Sequence, residues 1–206
     1  PDLDIVVVDA LRAGHEIDYF PGEVNFRRAD VLVIGKAGSA TPGAVEGIRQ
    51  RALELNPDAT VLTSDLEIDV DQPELMRGKR VLVIEDGPTV THGGMSFGAG
   101  TVAAGRYDAT PVDPRPYASG TIRGTFEANP HLETVLPAMG YSDAQRADLA
   151  KTINDCCRAE NVSCIVDASP ARLDRMLDLD VPLARVSYRF RQVDGEPLEE
   201  RVLALL

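Results

Sequence analysis

Apolar residues in this chain gather into short runs with little polar alternation. Asp4–Asp9 (DIVVVD), Ala29–Ile34 (ADVLVI), a short Thr60–Thr63, Arg80–Glu85 (RVLVIE), Val162–Val166 and Ala184–Phe190 read as strands. Most are rich in Val and Ile, the pattern of strands covered on both faces. Helical signals lie between them. Pro42–Leu55 follows Thr41, an N-cap type, with Pro42 at the first helical position. Ser142–Arg158 opens on Ser142 with Gln145 three residues later, a capping box. Gly98–Arg106, Pro170–Leu177 and Leu198–Leu206 are the remaining predicted helices. Strands alternating with helices predict an α/β fold, a mostly parallel sheet with helices on both faces.

Two stretches break the pattern. Between Asp108 and Met139 five prolines and two glycines dissolve it, and Arg115, Tyr117, Thr121, Arg123 and His131 mark the stretch as a ligand-facing crossing. Leu66–Arg77 is locally acidic and reads as a solvated loop. A boundary near 66–78 would divide the chain into residues 1–66, part of a nucleotide-binding domain, and 78–206, a second α/β domain with a glycine-rich anion-binding loop.

Composition narrows the function classes. The chain has 206 residues, 44% of them hydrophobic, enough for a core. A net charge of −12 argues against nucleic-acid binding through a broad basic face, while leaving room for a locally positive pocket. No uncharged apolar run approaches bilayer-spanning length, so no membrane partner is expected. Three cysteines without metal-ligand spacing or a signal sequence point to buried thiols and a cytoplasmic protein.

The densest chemistry lies in Glu85-Asp86-Gly87-Pro88-Thr89-Val90-Thr91-His92-Gly93-Gly94, which leaves a strand and runs toward a small-residue helix. Ligands of open α/β sheets sit at the carboxyl ends of strands. Glycines there let backbone N–H groups approach an anion. Asp86 could hold magnesium and His92 could move a proton or neutralise a phosphate. Asp9, at the end of the first strand, is a second magnesium candidate. Lys36, after the second strand, could contact a base or phosphate, and Arg115 could clamp an anion. The G-x-x-x-x-G-K-[ST] loop does not occur.

Taken in order, VVVDALRAGHE, YFPGEVNFRRADVLVIGKAGSA, VLVIEDGPTVTHGGMSFGAG, VDPRPYASGTI and HLETVLPAMGYSDAQ resemble the cyclic 2,3-diphosphoglycerate synthetase family, some of whose relatives are labelled predicted GTPases. EDGPTVTHGGM and VDPRPYA carry the resemblance most specifically. It implies P-loop-NTPase-like, Rossmann-like layers and ATP-dependent closure of an intramolecular phosphoanhydride in 2,3-bisphosphoglycerate, releasing ADP and phosphate. It also implies a C-terminal part of such an enzyme, with the P-loop on an N-terminal portion or separate subunit. In that picture Glu85, Asp86 and His92 are catalytic. Gly87, Thr89, Thr91, Gly93, Gly94, Arg28 and Arg115 bind the substrate phosphates. Asp9 and Lys36 serve the nucleotide, and Asp9 and Asp86 hold Mg2+. The expected partners are ATP, a phosphorylated anionic small molecule and a second copy in a homodimer. Gly35-Lys36-Ala37-Gly38 lacks the Asn and Asp with which GTP-binding proteins read guanine, and Ala168-Ser169-Pro170 stands where Gly-Thr-Pro is expected. The alternatives are a non-catalytic module for a phosphorylated metabolite, or a GTPase-like nucleotide-binding protein.

Overall fold

The runs of Val and Ile form the central strands of a computed structural model that describes residues 2–140 and 142–205. In chain order the elements are β1 (Ile5–Asp9), α1 (His15–Asp18), α2 (Gly22–Arg28), β2 (Val31–Gly35), α3 (Pro42–Leu55), β3 (Thr60–Val70), β4 (Arg80–Asp86), α4 (Gly87–Thr91), α5 (Ala99–Arg106), β5 (Thr110–Pro111), α6 (Gly120–Ala128), β6 (Val135–Ala138), α7 (Asp143–Ala159), β7 (Cys164–Asp167), α8 (Leu173–Met176), β8 (Leu183–Asp194) and α9 (Leu198–Leu203). The chain divides into two compact units, Pro1–Glu67 with Arg189–Leu206, and Ile68–Tyr188. It passes from one to the other within β3 and again within β8.

In the first unit β1, β2 and β3 run parallel, with Asp9 paired in register with Gly35 at the upper end. Alternate side chains face opposite ways. Val6, Val8, Leu32 and Ile34 pack on Phe26 of α2 and on Ile48 and Ala52 of α3. Val31, Val33 and Leu62 pack on the other face with Leu198 of α9.

The second unit centres on β4. It pairs in parallel with β7 on one side, and on the other with β5 at its start and β6 at its end. β7 pairs in turn with β8. Leu82 and Ile84 face a core that includes Ile122 of α6 and Leu149 and Ile153 of α7. Val81 and Val83 face the opposite way, onto Ala103 and Ala104 of α5. Helices therefore flank both faces of this parallel α/β sheet, as the alternating pattern predicts.

Several elements differ from expectation. The stretch from Asp108 to Met139 contains α6 and β6. Ile122 and Phe126, four residues apart and both buried, supply the helix stripe, which Gly120 and Gly124 obscure. Pro111 and Pro137 are tolerated because β5 and β6 each pair only with β4, so no second partner needs the missing N–H. The acidic segment after Thr63 is not a loop: β3 continues to Val70. Glu67 and Asp69 point to solvent while Leu66, Ile68 and Val70 turn inward, the alternation of a half-exposed strand. The helix predicted over Pro170–Leu177 contracts to α8. The terminal helix ends at Leu203, with Leu206 outside the described residues.

α7 begins as its sequence dictates. Ser142 Oγ accepts from Gln145 N at 3.2 Å, while Ser142 N donates to Gln145 Oε1 at 3.1 Å. Replacing Ser142 by Ala should lower unfolding free energy by about 1 kcal/mol in urea titrations, with an unchanged denaturant slope.

Candidate functional site

The carboxyl ends of β4, β6 and β7 come together in the second unit and carry most of its candidate chemistry. β4 ends on Glu85 and Asp86, which point to opposite faces. Glu85 is buried. Its Oε1 accepts from Thr101 N at 2.8 Å and from Thr101 Oγ1 at 3.0 Å. The N–H groups of Gly98 and Gly100 also serve this carboxylate. Glu85 is thus the anion at the start of α5, the place where the glycine-rich reading puts a substrate phosphate. Burial pushes its pKa up from the ordinary Glu range, and the hydrogen bonds from Thr101, Gly100 and Gly98 offset only part of that. The close approach requires glycine: a Cβ at position 98 would stand 2.5 Å from Glu85 Oε2.

Gly87 to Gly94 mostly bonds to itself. Gly87 is buried where a Cβ would strike Ala138 O, so its glycine is a packing requirement. Thr91 Oγ1 donates to Gly87 O at 2.8 Å, and the N–H groups of His92 and Gly93 donate to Pro88 O. Gly94 takes a left-handed φ of 62°, which favours glycine in the turn. Three polar groups remain on the outer side: half-buried Asp86, exposed Thr89, whose Oγ1 donates to Asp86 Oδ2 at 2.7 Å, and exposed His92, whose Nδ1 lies 3.2 Å from Thr91 Oγ1.

Beside Asp86 lies a cavity of about 140 Å³, lined by Asp86, Pro88, Met139, Arg146, Leu173 and Met176 among others. Its walls are mostly apolar, with one carboxylate and one guanidinium. Arg146 pairs with Asp143, one helical turn back on α7.

Sequence reasoning missed Asp167, which ends β7 as Asp9 ends β1. It is fully buried; its Oδ1 accepts from Ser169 N at 3.0 Å and Ser169 Oγ at 2.6 Å, and Arg185 stands 3.4 Å from Oδ2. Burial holds its carboxyl above the usual range despite these partners. The strand-ending aspartate before Ala168-Ser169-Pro170 was the available signal. His131, on the opposite side of α4, has Nε2 2.9 Å from Val90 O and helps fix that short helix.

The other expected site residues lie apart from this group. Arg115 is bound to Asp113 by three hydrogen bonds of 2.7 to 3.1 Å, two from Nε shared between Oδ1 and Oδ2 and one from Nη2 to Oδ2. Its neighbour Tyr117 donates to Glu160 Oε1 at 2.6 Å, and Glu160 pairs with Arg80, the first residue of β4. Arg80 and Asp86 are separated by the length of the strand, about 20 Å, so the VDPRPYA segment sits at the opposite end of the sheet. In the first unit, Lys36 Nζ donates to Asp9 Oδ2 at 2.7 Å, Arg12 Nε donates to the same oxygen at 3.1 Å, and Leu11 N takes Oδ1. Burial raises the Asp9 pKa, but Lys36, Leu11 and Arg12 outweigh it and hold the group below the ordinary range. Arg28 lies 3.2 Å from Asp4, at the other end of β1 from Asp9.

Among the described residues, no three His, Cys, Asp or Glu side chains gather to hold a metal. Magnesium is commonly held by one or two carboxylates together with waters and substrate phosphates. Asp86, bonded only to a neutral hydroxyl, fits that limited role, whereas Asp9 Oδ2 is already taken by two cations. The three cysteines are free and buried, their thiols pushed up by burial to about 12 at Cys156 and Cys157 and about 11 at Cys164, so none supplies a thiolate.

The chain is 47% identical over 204 residues to "Arginine synthetase ArcE" of Thermococcus kodakarensis, an alignment covering 98% of this chain and 44% of that protein. The similarity is to a synthetase. The chain spans less than half of that curated relative's length, and the relative's name carries arginine where the family resemblance implies cyclic 2,3-diphosphoglycerate. No family model matches the chain. Among the described residues no helix is long and apolar enough to cross a membrane.

Two outcomes test the Glu85 arrangement. Gly98→Ala should cost about 1–3 kcal/mol by forcing its methyl group against the carboxylate, read as a lower denaturation midpoint. Because Glu85 binds its proton more tightly when folded, its contribution to stability declines as pH rises from the unfolded Glu range through the folded one. The stability of Glu85→Gln relative to the unaltered protein should therefore climb with pH across that window and then level, in urea titrations at stepped pH.

Proposed function

We propose that this chain is the substrate-handling α/β part of an ATP-dependent synthetase whose product is arginine. The observation that carries the reading is its 47% identity, along nearly all its length, to a relative named for that product. The carboxyl-end cavity supports it, because apolar walls with a single Asp and a single Arg suit an amino acid better than a doubly phosphorylated glycerate. In this reading the side of α4 that bears Asp86, Thr89 and His92 faces the reacting group. His92 exchanges a proton with it, and Glu85 holds the 87–98 loop in place from beneath. ATP and its magnesium are co-substrates, and Lys36 with Asp9 forms a separate charged pair available to the nucleotide.

The second reading is ATP-dependent ring closure of 2,3-bisphosphoglycerate, favoured by EDGPTVTHGGM and VDPRPYA. There Asp86 would hold the magnesium, which would neutralise phosphate charge as the in-line phosphoryl transfer proceeds. Arg115 would have to give up Asp113 to reach an anion.

The full-length protein is to be given ATP, magnesium, ammonium and citrulline, whose ureido oxygen stands where the guanidinium of arginine has a nitrogen and would leave on the phosphate from ATP. A parallel reaction contains ATP, magnesium and 2,3-bisphosphoglycerate. Chromatography should show arginine in the first; a cyclic diphosphoglycerate in the second instead would establish the alternative. His92→Ala should lower turnover by about a hundredfold with the fold intact, and unchanged turnover would remove His92 from the chemistry.

A further inference from the structure

The geometry points to the cavity at the ends of β4 and β6 as an amino-acid subsite, in which Arg146 reads the α-carboxylate and Asp86 the guanidinium of arginine. This rests on the arginine reading above and assigns its substrate a place. Three observations carry it.

First, the two charges of opposite sign share one small cavity and neither is strongly satisfied. Among the described residues Asp86 accepts the neutral hydroxyl of Thr89 at 2.7 Å, and no Lys, Arg or His side chain pairs with it. A half-buried carboxylate without a cation is a receptor for one. Arg146 pairs with Asp143, whose side chain is 95% exposed one turn away on the same helix. Such a pair is weak, so a ligand carboxylate entering the cavity can replace it. An arginine fork accepts a carboxylate through two parallel hydrogen bonds.

Second, the space between the charges is apolar. Leu173 and Leu149 are buried in the core beneath it, and Met139, Met176 and Leu177 complete the wall. At about 140 Å³ the cavity is close to those of about 150 Å³ that hold a benzene-sized molecule. That is room for a short methylene chain, with charged ends at the rim.

Third, Gly140 sits at the wall where the Arg146 stem and Met176 come together: a Cβ there would lie in ordinary contact with Arg146 Cγ at 3.5 Å and Met176 Cε at 3.9 Å. The cavity also sits where ligands of parallel sheets lie, outside the carboxyl ends of adjacent strands.

The test uses calorimetric binding of arginine and of agmatine, its analogue without the carboxylate, to the full-length protein. The unaltered protein should bind arginine about ten- to a hundredfold more tightly than agmatine, the worth of one charged hydrogen-bonded contact. Arg146→Met should erase that preference by weakening arginine alone, Arg146→Lys should restore part of it, and Asp86→Asn should weaken both ligands. A merely structural role for Arg146 would weaken arginine and agmatine together. Equal binding of the two by the unaltered protein, or a preference that survives Arg146→Met, overturns the subsite and leaves the arginine reading standing. If the unaltered protein binds neither ligand and forms no arginine, the proposed function fails and takes the subsite with it.

Discussion

The carboxylate of Glu85 is where the second unit's architecture and its chemistry meet. It closes the N-terminus of α5 with a charge supplied by β4 itself, and it is buried deeply enough that its partners must come to it. Gly98 and Gly100 exist at their positions because side chains there would occupy the carboxylate's space. Once α5 is pinned, the segment from Gly87 to Gly98 has both ends fixed, with Thr89 and His92 exposed beside half-buried Asp86. A glycine-rich strand-to-helix connection can therefore be a packing solution for an internal anion as readily as a cradle for an external one.

The parallel sheet does the rest of the placing. β6 ends level with β4, at Ala138 opposite Asp86, and β7 ends two residues short of it, at Asp167 opposite Ile84, so these carboxylates and the 138–140 turn lie at the same end of the sheet without help from long loops. The period of two then divides the labour at the end of β4: Glu85 turns toward α5 and becomes structural, while Asp86 turns toward the α7 side and borders the cavity. Two carboxylates adjacent in sequence thus have unlike surroundings, and only one has an oxygen to offer a ligand.

The fold was legible in the chain wherever one signal dominated. Uninterrupted Val and Ile runs located β1, β2, β4 and β7, and the Thr41-Pro42 and Ser142–Gln145 caps located α3 and α7. It was illegible where glycine or proline masked a real pattern. Gly120 and Gly124 hid the Ile122–Phe126 stripe of α6, and Pro137 disguised a strand that has only one neighbour. The acidic alternation of β3 looked like a solvated loop because charge was weighed above periodicity. At the candidate site, sequence proximity grouped Asp86 and His92, which flank the short helix α4. It had no means of knowing that Arg115 lies a strand's length away. Nor could it see that Arg146, from the first turn of α7, borders the same cavity as Asp86, since such convergence arises only from packing.

The first unit is built from two pieces of chain separated by the whole of the second. Arg49 and Thr63 both reach Asp194, 145 and 131 positions later, and Gly195 comes so close to Leu62 that a Cβ there would stand 2.6 Å from it. During synthesis the continuous segment from Ile68 to Tyr188 is made before Asp194 and Gly195. The second unit can then close on itself while the strands of the first wait for the returning half of β8. The first unit must close contacts across 131 and 145 positions, whereas the second is one continuous segment with the lower entropic cost of assembly. A chain cut just before Asp194 would keep every residue of the second unit and lose the partner shared by Arg49 and Thr63, leaving the kind of half-formed surface on which chaperones and proteases act.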